Sequence, residues 1–198
     1  MGKCIAYTAG AITFLGIGAL VTGLTLYIVY PNMRGGQQST DEQMRYGMCD
    51  LRSADGLTQM GKIHFAQNSS ESSTTITGTV AGLTAGAHGF HIHELGGTGD
   101  SCSDAGSHYN PADQSHGGPD SDERHVGDLG NIQSVGEGDT IAIVKIEDHQ
   151  VSLSGKWSVM GRSVVVHALE DDLGASGDAS GAAGARVACC TIYIINGA

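Results

Sequence analysis

Closely spaced histidines are the residues in this sequence best suited to do chemistry. Residues 89–94 read GFHIHE, so His91 and His93 are separated by one residue. Successive side chains of a β-strand point to opposite faces, which places these two imidazoles on one face and Ile92 on the other. Two ligands rarely hold a transition metal. The pair therefore predicts a metal site only if other segments supply further ligands.

Other candidate ligands follow this pair along the chain. They lie in short polar motifs: His108 in SHYNP, His116 in SHGGP, His125 and Asp128 in RHVGDLG, and His167 in VVVHA. Any one of them alone is more often an ordinary surface or core histidine. Nine histidines in 198 residues are too many for that reading of the whole set. Neutral imidazole and carboxylate are ligands that zinc and copper select, and the adjacent glycines would let a loop turn its ligands back on one centre.

Short β-strands must position these residues. Strand-like stretches with alternating or β-branched residues, separated by turn signals such as GEGD at 136–139, lie at 61–67, 74–80, 130–135, 140–147, 162–168 and 186–195. No sustained helical period occurs after residue 30. The pattern predicts an all-β sandwich or closed barrel. Residues 95–129 and 170–185 fit no strand, and loops of that length are usually functional.

The N-terminal part differs in composition from the rest. Residues 5–30 contain no charged residue and form a stretch long enough to span a bilayer. The polar stretch 33–43 has the composition of a linker. We expect residues 1–32 to be an uncleaved signal-anchor or a cleaved signal peptide, with a buried soluble helix as the remaining alternative. A globular domain is expected at 44–198, on the non-cytosolic side and either extracellular or membrane-anchored. Asn68 begins a glycosylation sequon, which an exported domain could use.

The charge distribution excludes one class of partner. The formal net charge is −11, and the ten basic residues are scattered along the sequence. Without a basic stripe to meet a phosphate backbone, the protein is not expected to bind nucleic acid.

Six motifs resemble one known family. GFHIHE, SHYNP, HGGP, ERHVGDLGN, VVVHA…DDLG and ARVAC occur in the order and near-spacing of the Cu/Zn superoxide dismutases, over roughly residues 46–198. The resemblance implies an all-β, eight-stranded Greek-key barrel. It also implies copper and zinc as cofactors, superoxide as substrate, and a possible homodimer. The implied reaction is dismutation of superoxide to oxygen and hydrogen peroxide.

The resemblance also assigns roles, residue by residue. The implied copper ligands are His91, His93, His108 and His167, and the implied zinc ligands are His108, His116, His125 and Asp128. His108 would thus bridge the metals, and it would also deliver a proton during turnover. Asp171 resembles the aspartate that orients histidines of both sites. Arg186 resembles the arginine that holds the anionic substrate, a role suited to a group that stays charged.

The chain has five cysteines: Cys4, Cys49, Cys102, Cys189 and Cys190. The resemblance implies a disulfide between Cys102 and Cys189, which an exported compartment permits. Cys49 is expected to be a buried free thiol in the first strand. Cys190 stands where the family usually has glycine, and a free thiol and an intermolecular link both remain open for it.

One loop departs from the family pattern. The segment before Arg186 reads ASGDASGAAGA, with Asp178 as its only charge, and Leu169 stands where a lysine is often found. This composition predicts slower and less salt-sensitive turnover than in a relative with charged guiding residues. Two rival functions remain: a copper- and zinc-binding module without turnover, and a structural adhesion-like sandwich. Copper occupancy without activity would favour the module, and absence of metal would favour the sandwich.

Overall fold

The structure is a computed structural model that describes residues 43–136 and 140–196. The predicted signal segment at 1–32 and nearly all of the linker at 33–43 lie outside the described residues. No helix in the described part is long and apolar enough to cross a bilayer. The described residues form β-strands and one short 3-10 helix at Ser103–Ala105. The strands are β1 (Arg45–Ser53), β2 (Gln59–Gln67), β3 (Thr74–Ala81), β4 (Gly86–His93), β5 (Asp128–Val135), β6 (Ile141–Asp148), β7 (Ser163–His167), β8 (Arg186–Thr191) and β9 (Tyr193–Ile195).

These strands close into an antiparallel barrel. The order around the sheet is β2-β3-β6-β5-β4-β7-β8-β1, and β1 also pairs with β2 to complete the ring. Because β3 pairs with β6 and β4 pairs with β7, the chain crosses between strands that are not sequential, as Greek keys do. β9 continues the last strand after Ile192 and pairs with β1. The predicted all-β, eight-stranded Greek-key barrel is confirmed.

The strands differ in how many of their faces are buried. β3 alternates, with Ile76 and Val80 packed in the core and Thr75 and Thr77 exposed. In β4, by contrast, all six residues from 88 to 93 are buried. Phe90 and Ile92 lie in the core, whereas His91 and His93 point to the other face. The prediction that the two histidines share a face of a strand is therefore confirmed.

Two neighbouring cysteines of β8 form disulfides on opposite faces of the strand. Cys189 is joined to Cys102 of the loop after β4, as predicted. Cys190 points into the core and is joined to Cys49 of β1. The prediction of a free thiol at Cys49 was wrong, because alternation along β8 turns Cys190 inward. There the Cα atoms of the pair are 5.5 Å apart, within the usual range for a disulfide.

The disulfide between Cys49 and Cys190 should contribute measurably to stability. We expect the double variant Cys49→Ala, Cys190→Ala to lose about 2–4 kcal/mol of unfolding free energy, because the bridge closes a long loop. Denaturant unfolding of the metal-free protein measures this loss. The single variant Cys49→Ala is the control and should lose nearly as much, since it already breaks the bridge. Alkylation of Cys49 or Cys190 in the unreduced, unfolded chain would show that the bridge is absent.

Candidate metal centre

Four histidines from two strands and a loop converge outside the core. His91 and His93 lie on β4 and His167 ends β7, while His108 lies in the loop after β4. A β-bridge between His93 and His108 holds that loop against the strand. All four side chains are buried, and one ring nitrogen from each lies within 4.8 Å of the others. The structure thus brings together the four residues predicted to bind copper.

The hydrogen bonds of two of these rings leave their lone pairs facing each other. Nδ1 of His93 donates to the carbonyl of Gly106 at 2.9 Å, and Nδ1 of His167 donates to the carbonyl of Gly184 at 3.1 Å. A neutral imidazole has one N–H, so both Nε2 atoms carry lone pairs. These Nε2 atoms are 3.4 Å apart. Two facing acceptors repel unless a cation lies beside them, so the arrangement fits a metal.

The other two rings also present unpaired nitrogens. Nε2 of His91 donates to Oδ2 of Asp171 at 2.5 Å, which leaves its Nδ1 as a buried lone pair. Nε2 of His108 is likewise buried without a hydrogen-bond partner. A buried polar atom without a partner is costly. Four nitrogen donors and no carboxylate form the type of set that copper accepts.

A second group shares His108 with the first. One donor atom each of His108, His116, His125 and Asp128 lies within 4.8 Å of the others. Oδ1 of Asp128 is 2.8 Å from Nδ1 of His108 and 3.0 Å from Nδ1 of His125. His108 therefore turns one nitrogen to each group. Three imidazoles and one carboxylate are a suitable tetrahedral set for zinc.

Asp128 and His116 also meet without a hydrogen bond between them. Nε2 of His116 donates to Oδ1 of Asp171 at 2.9 Å, so its Nδ1 is a lone pair whenever the ring is neutral. This Nδ1 is 3.0 Å from Oδ2 of Asp128 and has no hydrogen-bond partner. Oδ2 already accepts from the backbone N–H of His125 at 2.9 Å. A proton on Nδ1 resolves this contact in the metal-free protein, and a metal ion between the two atoms would replace that proton.

Asp171 links the two groups by hydrogen bonds to one histidine of each group. Its two carboxylate oxygens accept from His91 and His116, which belong to different groups. Its own backbone is fixed by Asn131, whose side chain accepts from the N–H of Asp171 at 2.7 Å and donates to its carbonyl at 2.9 Å. Such carboxylates set the tautomer and orientation of ligating rings. This geometry suits the orienting role predicted for Asp171.

Arg124 supports the second group, a role that was not predicted from the sequence. Its side chain is buried and pairs with Asp148 at the end of β6, with 2.6 Å between Nη2 and Oδ2. Nη1 donates to the carbonyls of Asp128 at 3.1 Å and His125 at 3.3 Å. Arg124 thus holds the backbone of two residues of the second group. The available signal was its position beside His125 in the motif ERHVGDLGN.

His88 has a structural role near the first group. His64, His88 and His149 lie outside the motifs that carry the family resemblance. His88 is buried, and its Nδ1 donates to the backbone carbonyl of His167 at 2.8 Å. Nε2 of the same ring lies 2.9 Å from the carbonyl of Thr84. His88 therefore supports a member of the histidine group through the backbone, and no sequence motif marked it.

Arg186 lies at the start of β8 beside the first group. Its guanidinium donates to the carbonyls of Cys102 at 2.6 Å and Gly106 at 2.5 Å. Burial lowers its pKa from the ordinary value, but a guanidinium remains charged at every working pH. The same cation contributes to lowering the pKa of His93 and His167. A fixed positive charge therefore lies near the facing lone pairs.

Burial keeps His91, His93 and His167 neutral. Desolvation lowers the pKa of His91 to about 4, that of His167 to about 3 and that of His93 to about 2. His116 behaves differently: burial lowers its pKa, but its contacts with Asp128 and Asp171 outweigh burial and raise it to about 10. Burial raises the pKa of both carboxyls, yet hydrogen bonds from histidines hold them below their usual range. Neutral rings are the form that binds metal, so His116 must release a proton when a metal binds, whereas His91, His93 and His167 need not.

These shifts predict how the metal-free protein responds to acid. Between pH 7 and pH 5 the unfolded chain protonates its histidines, whereas His91, His93 and His167 stay neutral in the fold. The unfolded state then binds more protons, so the unfolding free energy falls as pH falls, by up to about 1.4 kcal/mol per pH unit for each residue. We expect a loss of several kcal/mol between pH 7 and pH 5, measured by denaturant unfolding of chelator-treated protein.

Titration of His116, Asp128 and Asp171 changes the predicted loss of stability between pH 7 and pH 5 only little. The raised pKa of His116 gives stability that is fully present below pH 6.5 and is lost as pH rises toward 10, so it opposes the loss by only about 1 kcal/mol in this window. Asp128 and Asp171 titrate below the window, because their stabilising effect is lost only as pH falls through their lowered pKa values. Equal or greater stability at pH 5 would contradict the prediction.

Comparison with known proteins agrees with this geometry. The family model for copper/zinc superoxide dismutase matches residues 59–192. An extracellular Cu-Zn superoxide dismutase of Caenorhabditis elegans is 53% identical over 137 residues, which cover 67% of this chain but only 60% of the relative. A Cu-Zn superoxide dismutase of Dictyostelium discoideum is 50% identical over 137 residues, covering 68% of this chain and 90% of the relative. The chain belongs to the copper/zinc superoxide dismutase family, whose cofactors are copper and zinc.

Proposed function

We propose that this protein is a superoxide dismutase, which converts two superoxide ions and two protons to oxygen and hydrogen peroxide. One observation carries the proposal: two groups of buried donor atoms share His108, and each group contains buried ring nitrogens without a hydrogen-bond partner, namely Nδ1 of His91 and Nε2 of His108 in the first and Nδ1 of His116 in the second. A structural sandwich would gain nothing from such atoms, since unpaired buried acceptors only destabilise a fold. Membership of the family supports the same conclusion.

The donor sets distinguish the two metals. We assign copper to the all-nitrogen group of His91, His93, His108 and His167, and zinc to the group of His108, His116, His125 and Asp128. Copper, when bound, would supply the one-electron oxidation and reduction of superoxide. Zinc suits the second group because it accepts a carboxylate with three imidazoles and has no redox chemistry. In that position it would hold together the loop that carries its ligands.

Two residues of the chain handle substrate and proton. Arg186 offers a fixed cation beside the first group, and the carbonyls of Cys102 and Gly106 orient its guanidinium. It would bind and align the superoxide anion. Nε2 of His108 faces the first group without a hydrogen-bond partner. That nitrogen can hold a proton and release it to the substrate as peroxide forms.

Reconstitution of the full chain tests the proposed function. Metal-free protein, protein with zinc alone, and protein with copper and zinc are compared for superoxide decay, with metal content measured on each sample. Activity should require copper. A sample that holds copper and zinc without accelerating the decay would favour the rival copper- and zinc-binding module instead.

The rate at which superoxide reaches the metal site should depend only weakly on salt concentration. Leu169 is exposed at the loop after β7, and Asp178 is the only charged residue between 174 and 185. A charged rim can raise association rates by ~10–10³ through steering, and added salt screens that effect. We expect turnover to change little as ionic strength rises. The variant Leu169→Lys should raise both the rate and its salt dependence; a steep fall in the unmodified protein would contradict the prediction.

We propose that the domain is exported from the cytosol. The nematode relative is named extracellular, and residues 5–30 form an uncharged apolar stretch. Residues 1–32 would direct export, and the domain at 44–198 would lie on the non-cytosolic side, whether the segment is cleaved or retained as an anchor. Mass determination of the mature N-terminus tests these alternatives, and a chain that stays in the cytosol would contradict export. A homodimer remains a prediction.

A further inference from the structure

The turn between β2 and β3 contains a modification site outside the metal centre. Of the five asparagines in the sequence, only Asn68 begins an Asn-X-Ser/Thr sequon, with Ser69 and Ser70. We propose that Asn68 carries an N-linked oligosaccharide. The proposal rests on the proposed export, because this modification occurs in the exported compartment. It concerns none of the residues that we assign to the metals.

The local structure presents Asn68 to solvent. Asn68 follows the last residue of β2 and is exposed. The turn is closed without its side chain: Ser72 accepts from the N–H of Ser69 at 2.9 Å, and its carbonyl accepts from Nε2 of Gln67 at 2.9 Å. The buried Gln67 and the half-buried Ser72 therefore hold a short loop, and its exposed residue Asn68 is accessible to an enzyme. Exposed turns are where such acceptor residues are expected in secreted proteins.

Two of the other described asparagines, Asn110 and Asn131, provide an internal contrast. Nδ2 of Asn110 donates to the carbonyl of Gln114 at 2.8 Å, and Nδ2 of Asn131 donates to the carbonyl of Asp171 at 2.9 Å. Their amides hold loops in place, and neither residue lies in a sequon. Within the described part of the chain, the amide of Asn68 makes no such bond. Unlike Asn110 and Asn131, Asn68 therefore has an amide nitrogen that is available for modification.

The reaction would be a glycosyl transfer from a lipid-linked oligosaccharide. The amide nitrogen of Asn68 forms a bond to C1 of the first sugar, and the bond from C1 to the diphosphate oxygen breaks. The lipid diphosphate leaves, and the amide nitrogen loses one proton. The hydroxyl of Ser70 completes the acceptor sequence, whereas the middle position accepts most residues.

Expression of the full chain in secreting cells that perform N-glycosylation tests the proposal. The secreted protein should show a discrete mass increase that an amide-cleaving glycosidase removes, leaving aspartate at position 68. The variants Asn68→Gln and Ser70→Ala should lose the increase completely. Ser70→Thr and the matched control Ser69→Ala should retain it. Superoxide decay by Asn68→Gln should equal that of the unmodified sequence, because Asn68 lies outside the metal centre.

The outcomes separate the modification from export. Secreted protein with an unmodified Asn68 would overturn the glycan and leave export intact. Protein that stays in the cytosol would overturn both. A mass increase that persists in Asn68→Gln would place the modification elsewhere and would also overturn the proposal.

Discussion

The variant His93→Gln should lose copper binding and nearly all superoxide dismutation. His93 is buried on β4, and its Nε2 faces Nε2 of His167 at 3.4 Å. A glutamine removes one of four nitrogen donors and breaks the hydrogen bond to Gly106 that fixes the ring. Mutation of a residue that only orients ligands typically lowers metal affinity or activity by ~10–100-fold. Loss of a direct donor should therefore lower both by a larger factor.

The control for this variant is another histidine on a strand. His64 lies on β2 with its side chain exposed, so His64→Gln changes the same residue type without touching either donor group. Copper per chain and superoxide decay are measured for both variants. His64→Gln should match the unmodified protein in both. If His93→Gln also kept its copper and its rate, the assignment of the first group would be wrong.

Replacement of Arg124 by methionine should cost about 3–5 kcal/mol of unfolding free energy, the amount typical for breaking a buried ion pair on one side. The change leaves Asp148 buried at the end of β6 without its cationic partner. It also removes the donor to the carbonyls of His125 and Asp128. Zinc affinity should therefore fall together with stability, whereas copper affinity should change less.

Two further variants make this prediction specific. Lys145→Met on the exposed face of β6 makes the same change of a cation to methionine and should cost under about 0.5 kcal/mol. Adding Asp148→Leu to Arg124→Met should recover part of the loss by removing the unpaired carboxylate. Recovery should be incomplete, because Asp148 also accepts from the backbone of Gln150 and Val151. Denaturant unfolding that shows equal stability for Arg124→Met and Lys145→Met would contradict the account.

Sequence pattern predicted the elements that carry the centre because local rules decide them. Alternation along β4 placed His91 and His93 on one face. The lack of strand signals at 95–129 and 170–185 marked the two loops that cover that face. The stretch 186–195 was predicted as one strand, whereas Ile192 interrupts it. Its backbone pairs with Gly161 and Arg162 in the loop before β7, which no local pattern shows.

Contacts between distant segments could not be read from the pattern. The bond between Cys49 and Cys190 requires that β1 and β8 be neighbours in the closed barrel, and the sequence alone left Cys190 open. Arg124 was missed for the same reason, since its partner Asp148 lies 24 residues away. Asp171 was predicted through the resemblance, but its anchor Asn131 was not. Each of these contacts depends on the topology of the barrel.

The central claim is that the two donor groups form one centre that shares His108. Electron spin resonance of the full chain tests this most directly, with copper bound in the first group and cobalt(II) in the second. A shared imidazole couples the two unpaired-electron centres, so filling the second group should strongly broaden or abolish the copper signal, and zinc in its place should restore it. An unchanged copper signal with both groups filled would contradict the shared ligand, and with it the proposed assignment of the two metals.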